Sequence, residues 1–264
     1  QLGGYVGLQN ALKIADKDIV QTVLESGLRG RGGAAFPTGI KWKTVLDAQD
    51  DQKYIVCNAD EGDSGTFSDR MIMEGDPLSL VEGMTIAGIA VGATKGFIYL
   101  RSEYPLTQTI LLEAIANARA AGYLGSNIAG SGKIFDLEIR MGAGAYICGE
   151  ETSLLESLEG RRGQIRFKPP LPALKGLFGK PTVVNNVLTL ATVPWVMANG
   201  AEAYAACGMG RSRGTMPIQI AGNVKYGGLF ETAFGITLGE LVNDIGGGSG
   251  SGASPGSPAP APGW

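Results

Sequence analysis

The densest chemistry in this 264-residue chain lies between Leu28 and Trp42, Leu-Arg-Gly-Arg-Gly-Gly-Ala-Ala-Phe-Pro-Thr-Gly-Ile-Lys-Trp. Its glycines let backbone amides approach a ligand with no Cβ in the way and reach the positive φ values that anion-binding loops use. Arg29, Arg31 and Lys41 are countercharges for phosphate, and Phe36 and Trp42 offer flat faces for a ring. A surface turn with solvated charges would have the same composition. The helix expected at Trp42–Ala48 favours a nucleotide loop, because its first amides would add to the anion site. Gly30, Gly32 and Ala35 also satisfy G-x-G-x-x-G/A, a pattern that carries meaning only after a strand. The preceding residues, Asp18 to Ser26, instead place Ile19, Val20, Val23 and Leu24 on one helical face, so the setting is not the usual dinucleotide one.

Acidic side chains form the second group. Asn58-Ala-Asp-Glu-Gly-Asp-Ser-Gly puts Asp60, Glu61 and Asp63 just beyond an expected buried strand, Lys53–Asn58. The carboxyl end of a parallel strand is where α/β sheets place ligands. The competing role is an Asx-rich turn capping a helix near Asp69. Glu150 and Glu151 follow the glycine-rich Gly142-Ala-Gly-Ala-Tyr-Ile-Cys-Gly and lie at a helix start. There they either complement the helix dipole or hold ribose hydroxyls and repel an extra phosphate. From Arg161 to Lys180, six basic residues sit among Pro169, Pro170 and Pro172. This stretch is either an irregular, positively charged lid or a solvated loop. Asn185 and Asn186 can donate and accept at a phosphate or a ring edge.

Several chemistries are excluded. The chain has no histidine, which removes Ser-His and Cys-His catalysis and histidine metal sites. Cys57, Cys148 and Cys207 are far apart and form no C-x-x-C, so no disulfide framework, zinc site or cluster site is expected and a cytoplasmic setting is the default. A net charge of −3 argues against a nucleic-acid surface. Met84–Leu100 reads as a buried helix followed by a strand, and no membrane span is expected. Gln1 reads as the start of a fragment.

The elements that position these residues alternate. A helix is expected over Pro77–Ala93, a strand over Gly96–Leu100, a helix over Leu106–Ala121 and a strand over Lys133–Arg140. This rhythm implies a parallel or mixed sheet covered by helices. Pro181-Thr-Val-Val-Asn-Asn-Val-Leu-Thr-Leu reads as a helix start. Met216–Ala221 reads as a strand, and Thr237–Asp244 as a short helix after a Gly-rich turn. Residues 246 to 263 are all Gly, Ser, Ala or Pro and read as an appendage without a core.

Together, Gly30 to Trp42, Cys57-Asn-Ala-Asp-Glu, Gly142 to Thr152, and Lys168-Pro-Pro through Val184-Asn-Asn resemble the family of flavin-binding NADH subunits. That family includes the flavin subunit of respiratory complex I, the diaphorase subunit of NAD-reducing hydrogenases and the beta subunit of soluble NAD-dependent formate dehydrogenases. The resemblance covers about residues 1 to 248. It implies a Rossmann-like FMN-binding α/β domain with a parallel sheet flanked by helices (residues 1–212). The start of a small ubiquitin-like β-grasp domain (213–248) and a flexible tail (249–264) would follow. The cofactors it implies are FMN and NAD(H). FMN contacts would fall to Gly30, Arg31, Gly32, Lys41, Asn58, Asp60, Tyr146, Gly149, Glu150, Asn185 and Asn186. The dinucleotide would meet Phe36, Glu61, Asp63, Glu151 and Lys168, with Glu61, Asp63 and Glu151 nearest the reaction. The hydride chemistry would belong to the flavin. Asp63 stands where many members carry glutamate, and Leu171 and Thr44 where aromatics are common. The acidic loop from Gly62 to Arg70 looks most like the formate dehydrogenases. The implied partners are a thioredoxin-like 2Fe-2S subunit and a larger molybdenum-containing catalytic subunit. A 4Fe-4S cluster is expected only outside this chain.

Overall fold

The computed structural model describes residues 4–63 and 65–250. The expected tail from residue 251 onward, Gln1 at the start and Ser64 of the acidic loop lie outside the described residues.

Two short helices, α1 (Val6–Ala11) and α2 (Asp16–Glu25), precede the glycine loop, which runs into α3 (Thr38–Asp47). Strand β1 (Tyr54–Ala59) follows, then α4 (Ser68–Gly75), α5 (Pro77–Val91), β2 (Lys95–Leu100), α6 (Pro105–Ala120) and β3 (Asp136–Met141). Next come α7 (Glu151–Leu158), the one-turn α8 (Pro172–Lys175), β4 (Thr182–Asn186), α9 (Val187–Asn199) and α10 (Ala201–Ala205). A two-residue ribbon, β5 (Gly208–Met209) with β6 (Ser212–Arg213), leads to the antiparallel hairpin of β7 (Thr215–Ile220) and β8 (Gly228–Ala233). The short α11 (Leu238–Glu240) comes after the hairpin.

The main sheet is wholly parallel, in the order β3-β2-β1-β4. Strands β1, β2 and β4 are buried on both faces, as parallel strands are, while the edge strand β3 is only partly covered. Ile55, Cys57, Ala59, Ile98 and Leu100 enter the larger apolar core, together with α1 to α3, α5, α6 and α9. Val56, Phe97, Tyr99 and Val184 alternate to the opposite face, under Leu154 and Leu155 of α7. Helix α5 is buried from Leu80 to Val91 and apolar there but for Thr85 and Glu82, whose carboxylate accepts from the Tyr5 (2.9 Å) and Leu8 (2.8 Å) amides of the first segment. Asp76 accepts from the Ser79 amide at its start, Pro77 occupies the first turn, and Gly92 closes it at φ 76°.

Helix α5 packs closely on α9. Pro194 has no N–H, so the Leu190 carbonyl one turn earlier lacks its intrahelical donor. That oxygen faces Gly83, where a Cβ would lie 1.9 Å away. Only glycine fits there.

Three expectations change. Helix α3 begins at Thr38, not Trp42, so Lys41 and Trp42 lie inside it. Thr182–Asn186 is a strand before it is a helix: Val183 and Val184 pair with Ile55 and Val56, and the chain enters α9 with no turn between. Before the short helix, where only a Gly-rich turn is expected, lies strand β8. In addition, residues 246–250, which the composition assigns to the appendage, are hydrogen-bonded through their backbone. Tyr226 N–H donates to Gly246 O (2.8 Å) and Lys225 N–H to Gly248 O (3.0 Å), bonds that need no side chains.

Candidate functional site

The chain steps from β1 outward to β2 and β3, then returns to β4 on the other side of β1. The carboxyl ends of β1 and β4 therefore flank a topological switch point, where open α/β sheets hold ligands. Asn58 and Asn186 are register partners at that end. Two adjoining cavities of about 400 and 290 Å³ open there and share Gly32, Asn58, Gly149, Glu150 and Asn186 as walls. The first is also lined by Arg31, Asp60, Glu61, Asp63, Asp69 and Tyr146, the second by Gly30, Phe36, Lys41, Glu151, Lys168 and Asn185. All sixteen residues expected from the sequence thus border one cleft. A larger, more apolar cavity of about 550 Å³, between α4, α9 and the β7–β8 hairpin, holds none of them.

The glycine loop is pinched at its base. Arg29 and Pro37 form a β-bridge, Gly30 N–H donates to Phe36 O (2.9 Å), and Arg29 Nε donates to Ala35 O (2.7 Å). Ala35 is held at φ 50°, a conformation costing on the order of 1 kcal/mol or more and kept only where the surroundings impose it. The Arg31 amide donates to Thr189 Oγ1 (2.9 Å). Its guanidinium points away from phosphate duty: it donates to Tyr204 OH (2.8 Å) and Arg213 O (2.7 Å) and lies 4.8 Å from the Phe234 ring centroid. Arg31 ties the glycine loop to the later hairpin.

The acidic side chains divide into cappers and cleft groups. Glu61 is buried and accepts from the Asp69 amide (3.0 Å), the Arg70 amide (3.3 Å), Ser68 Oγ (3.3 Å) and Tyr104 OH (2.9 Å). It caps α4, the competing role for this acidic loop. Glu150 caps α7, accepting from the Thr152 (2.8 Å) and Ser153 (3.0 Å) amides. Burial alone would raise the Glu150 pKa, but these bonds and Lys168 outweigh it and hold it below the usual carboxylate range. Asp63 is exposed at the cleft edge. Gly62 lies under the Tyr146 ring, where a Cβ would sit 2.8 Å from a ring carbon.

Two carboxyls are different. Asp60 Oδ2 is buried with no hydrogen-bond partner among the described residues, and burial pushes Asp60 up to about 6 despite Arg101. Asp69, which in the sequence only marks a helix, has its carboxylate in the cleft wall. It accepts from Asn186 Nδ2 (2.7 Å), and burial, with Glu61 nearby, pushes it up to about 7. An aspartate in the first turn of α4 carries no motif of its own, so no local signal points to it.

The basic groups form a row at the mouth. Lys41 Nζ donates to Val184 O (2.8 Å) and lies 3.7 Å from Glu151. Burial lowers its pKa, with Glu151 acting against that. Lys168 reaches Glu150 (3.1 Å) and Glu151 (2.6 Å). Three other cations of the proline-rich stretch are engaged elsewhere, Arg161 among them, with Glu156 and Glu159. Arg166 pairs with Glu156 and Glu159, and Lys180 with Asp50 and Asp51. Of that stretch only Lys168 reaches the cleft, so it is neither a uniform positive lid nor a free loop. Asn185 Oδ1 accepts from Trp42 Nε1 (2.9 Å), and Asn58 Nδ2 donates to Gly149 O (2.8 Å), joining the cleft walls. Among the described residues no cluster of metal-ligating side chains occurs, all three cysteines are free, and no helix is long and apolar enough to cross a membrane.

Comparison with known proteins agrees with this geometry. Residues 23–195 match the family model described as the Nuo51 FMN-binding domain. The NADP-reducing hydrogenase subunit HndC of Solidesulfovibrio fructosivorans is 52% identical over 247 residues, which are 94% of this chain and 50% of that protein. An NADH-quinone oxidoreductase subunit of Rhizobium meliloti (strain 1021) is 50% identical over 247 residues, 93% of this chain and 59% of the relative. An NAD+-reducing NiFe hydrogenase solved in the H2-reduced state superposes with a TM-score of 0.80 at 41% identity, covering 88% of this chain and 40% of that one. The chain spans about half the length of the curated relatives it matches.

Proposed function

Because this chain belongs to the Nuo51 FMN-binding domain family, we propose that it is the flavin-bearing diaphorase part of a larger NAD(H)-linked oxidoreductase. The observation that carries this reading is the switch-point cleft itself, with its glycine walls, Lys41, and a buried Asp60 oxygen still lacking a donor. FMN suits these residues. Gly30, Gly32 and Gly149 present no side chain to a flat ring. The loop amides and Lys41 suit an anionic phosphate, and Asp60 can accept from a ring N–H or a ribityl hydroxyl. When bound, FMN supplies the hydride chemistry, and the chain contributes position and electrostatics. Phe36 and Lys168 at the mouth, with Glu151 and the exposed Asp63, are the groups left to meet the dinucleotide. Glu61 acts through α4 and stays out of direct contact.

For the parent complex, the relatives' names support a complex I or hydrogenase setting. The formate dehydrogenase beta-subunit reading rests on the Gly62–Arg70 loop alone. Partners of the iron–sulfur type, a 2Fe-2S thioredoxin-like subunit among them, and a cytoplasmic location belong to this proposal too.

The test is the purified protein supplied with FMN. It should turn yellow, bleach on NADH addition, and reduce ferricyanide without any iron–sulfur EPR signal of its own. A protein that takes up no FMN would overturn the reading in favour of a non-catalytic nucleotide-binding scaffold.

A further inference from the structure

Asp69 is the most deeply buried carboxyl of the cleft, and no cation among the described residues pairs with it. Its side chain is buried in the wall of the larger lobe, at 5% exposure, and its one side-chain partner is the neutral amide of Asn186. None of the ion pairs among the described residues includes it. The nearby cations are committed elsewhere: Arg70 to Glu74, Arg101 to Glu103 and the Glu61 carbonyl, and Arg31 to Tyr204 and the Arg213 carbonyl. The titratable groups that face it are Glu61 before α4, with Tyr104 behind it, and Cys57 of β1. Asp60 and Glu150 line the same lobe.

We propose that FMN binding to this cleft is coupled to the uptake of one proton at Asp69, so that the buried carboxyl is neutral in the loaded protein. Two effects of the same sign carry the step. A ring in the cleft expels water from beside Asp69, and desolvation disfavours the charged form of a carboxyl. The flavin phosphate brings negative charge into a cleft already lined by acids, and like charge disfavours it further. The group starts near 7, so either effect moves it through the neutral range. The neutral carboxyl can still accept from Asn186, whose oxygen stays on the Leu188 amide (2.9 Å) at the start of α9. The wall therefore keeps its shape while its charge changes.

This inference rests on the reading of the cleft as an FMN site, and the experiment separates the two. FMN affinity is measured by quenching of flavin fluorescence from pH 7.0 to 8.5, where a phosphate monoester is already a dianion. Proton uptake is measured by calorimetry in two buffers of different ionisation enthalpy. The wild-type affinity should fall as pH rises, approaching about tenfold per unit for one proton, with uptake seen in the calorimeter. Asp69→Asn, which keeps an acceptor for Asn186, should flatten the dependence to less than about twofold and abolish the uptake. Glu61→Gln should shift the dependence to lower pH and serves as the second variant if Asp69→Asn does not fold. FMN binding without proton uptake in the wild type, or uptake that persists in Asp69→Asn, overturns the inference while leaving the flavin site standing. Absence of FMN binding altogether overturns the function on which it rests.

Discussion

At the scale of single residues, the cleft separates carboxylates by what holds them. Glu61 and Glu150 are fixed by helix amides, whereas Asp63 is exposed with no helix to cap. A 2′-phosphate brought within a few ångströms of Asp63 would meet repulsion of about 1 kcal/mol at a solvated edge. Asp63→Asn is therefore expected to raise kcat/KM for NADPH severalfold with ferricyanide as acceptor, leaving flavin content unchanged. An unmoved NADPH-to-NADH ratio would make Asp63 a turn residue. Capping by the acidic loop is legible as its competing role, because Asp69 and Arg70 follow Glu61 closely in the chain, whereas the bond from Tyr104 depends on a fold that brings separate segments together. The orientation of Arg31 is illegible for the same reason: its partners, Tyr204 and Arg213, lie more than 170 positions away. The cleft's membership is nevertheless readable, since glycines, amides and acids at strand ends are local signals.

At the scale of elements, legibility follows punctuation. Helix α5 is evident from Asp76-Pro77 at its start and Gly92 at its end, and β2 from its apolar run. Strand β4 is not. Its β-branched Thr182-Val-Val is followed by Asn186, which is at once the last strand residue and the cap of α9, so no turn residue marks the change. Helix α3 begins four residues early because Pro37 fixes the entry and Thr38 buries its side chain. The α5–α9 seam carries an expectation of its own. Gly83→Ala would drive a methyl group into the Leu190 carbonyl, a backbone atom that cannot swing aside. Overpacking of this kind costs typically 1–3 kcal/mol and more where backbone must shift. Thermal unfolding should shift down by roughly 5 °C or more, taking 2–4 °C per kcal/mol for a chain of this size. A melting temperature within a degree of the wild type would show that the two helices separate easily.

At the scale of the whole molecule, buried acids set the pH response of the ligand-free protein. Asp60 and Asp69 have pKa values raised to about 6 and about 7, chiefly by burial. Between the unfolded value near 4 and these folded values, the folded state binds more protons than the unfolded one. Unfolding free energy therefore falls as pH rises, by at most about 1.4 kcal/mol per pH unit for each group. Chemical denaturation should show the ligand-free protein more stable at pH 5.5 than at pH 7.5. The Asp60→Asn, Asp69→Asn double variant should lose most of that slope. A slope that survives in the double variant would assign it to other groups.

The strand order also has a consequence for biosynthesis. Asn58 closes β1 and Asn186 closes β4, yet the two sit side by side in register, and every residue of β2 and β3 is translated between them. A ribosome that has released the first three strands has supplied one wall of the cleft and not the facing one. The complete site for the flavin therefore exists only with the fourth strand beside the first and α9 begun.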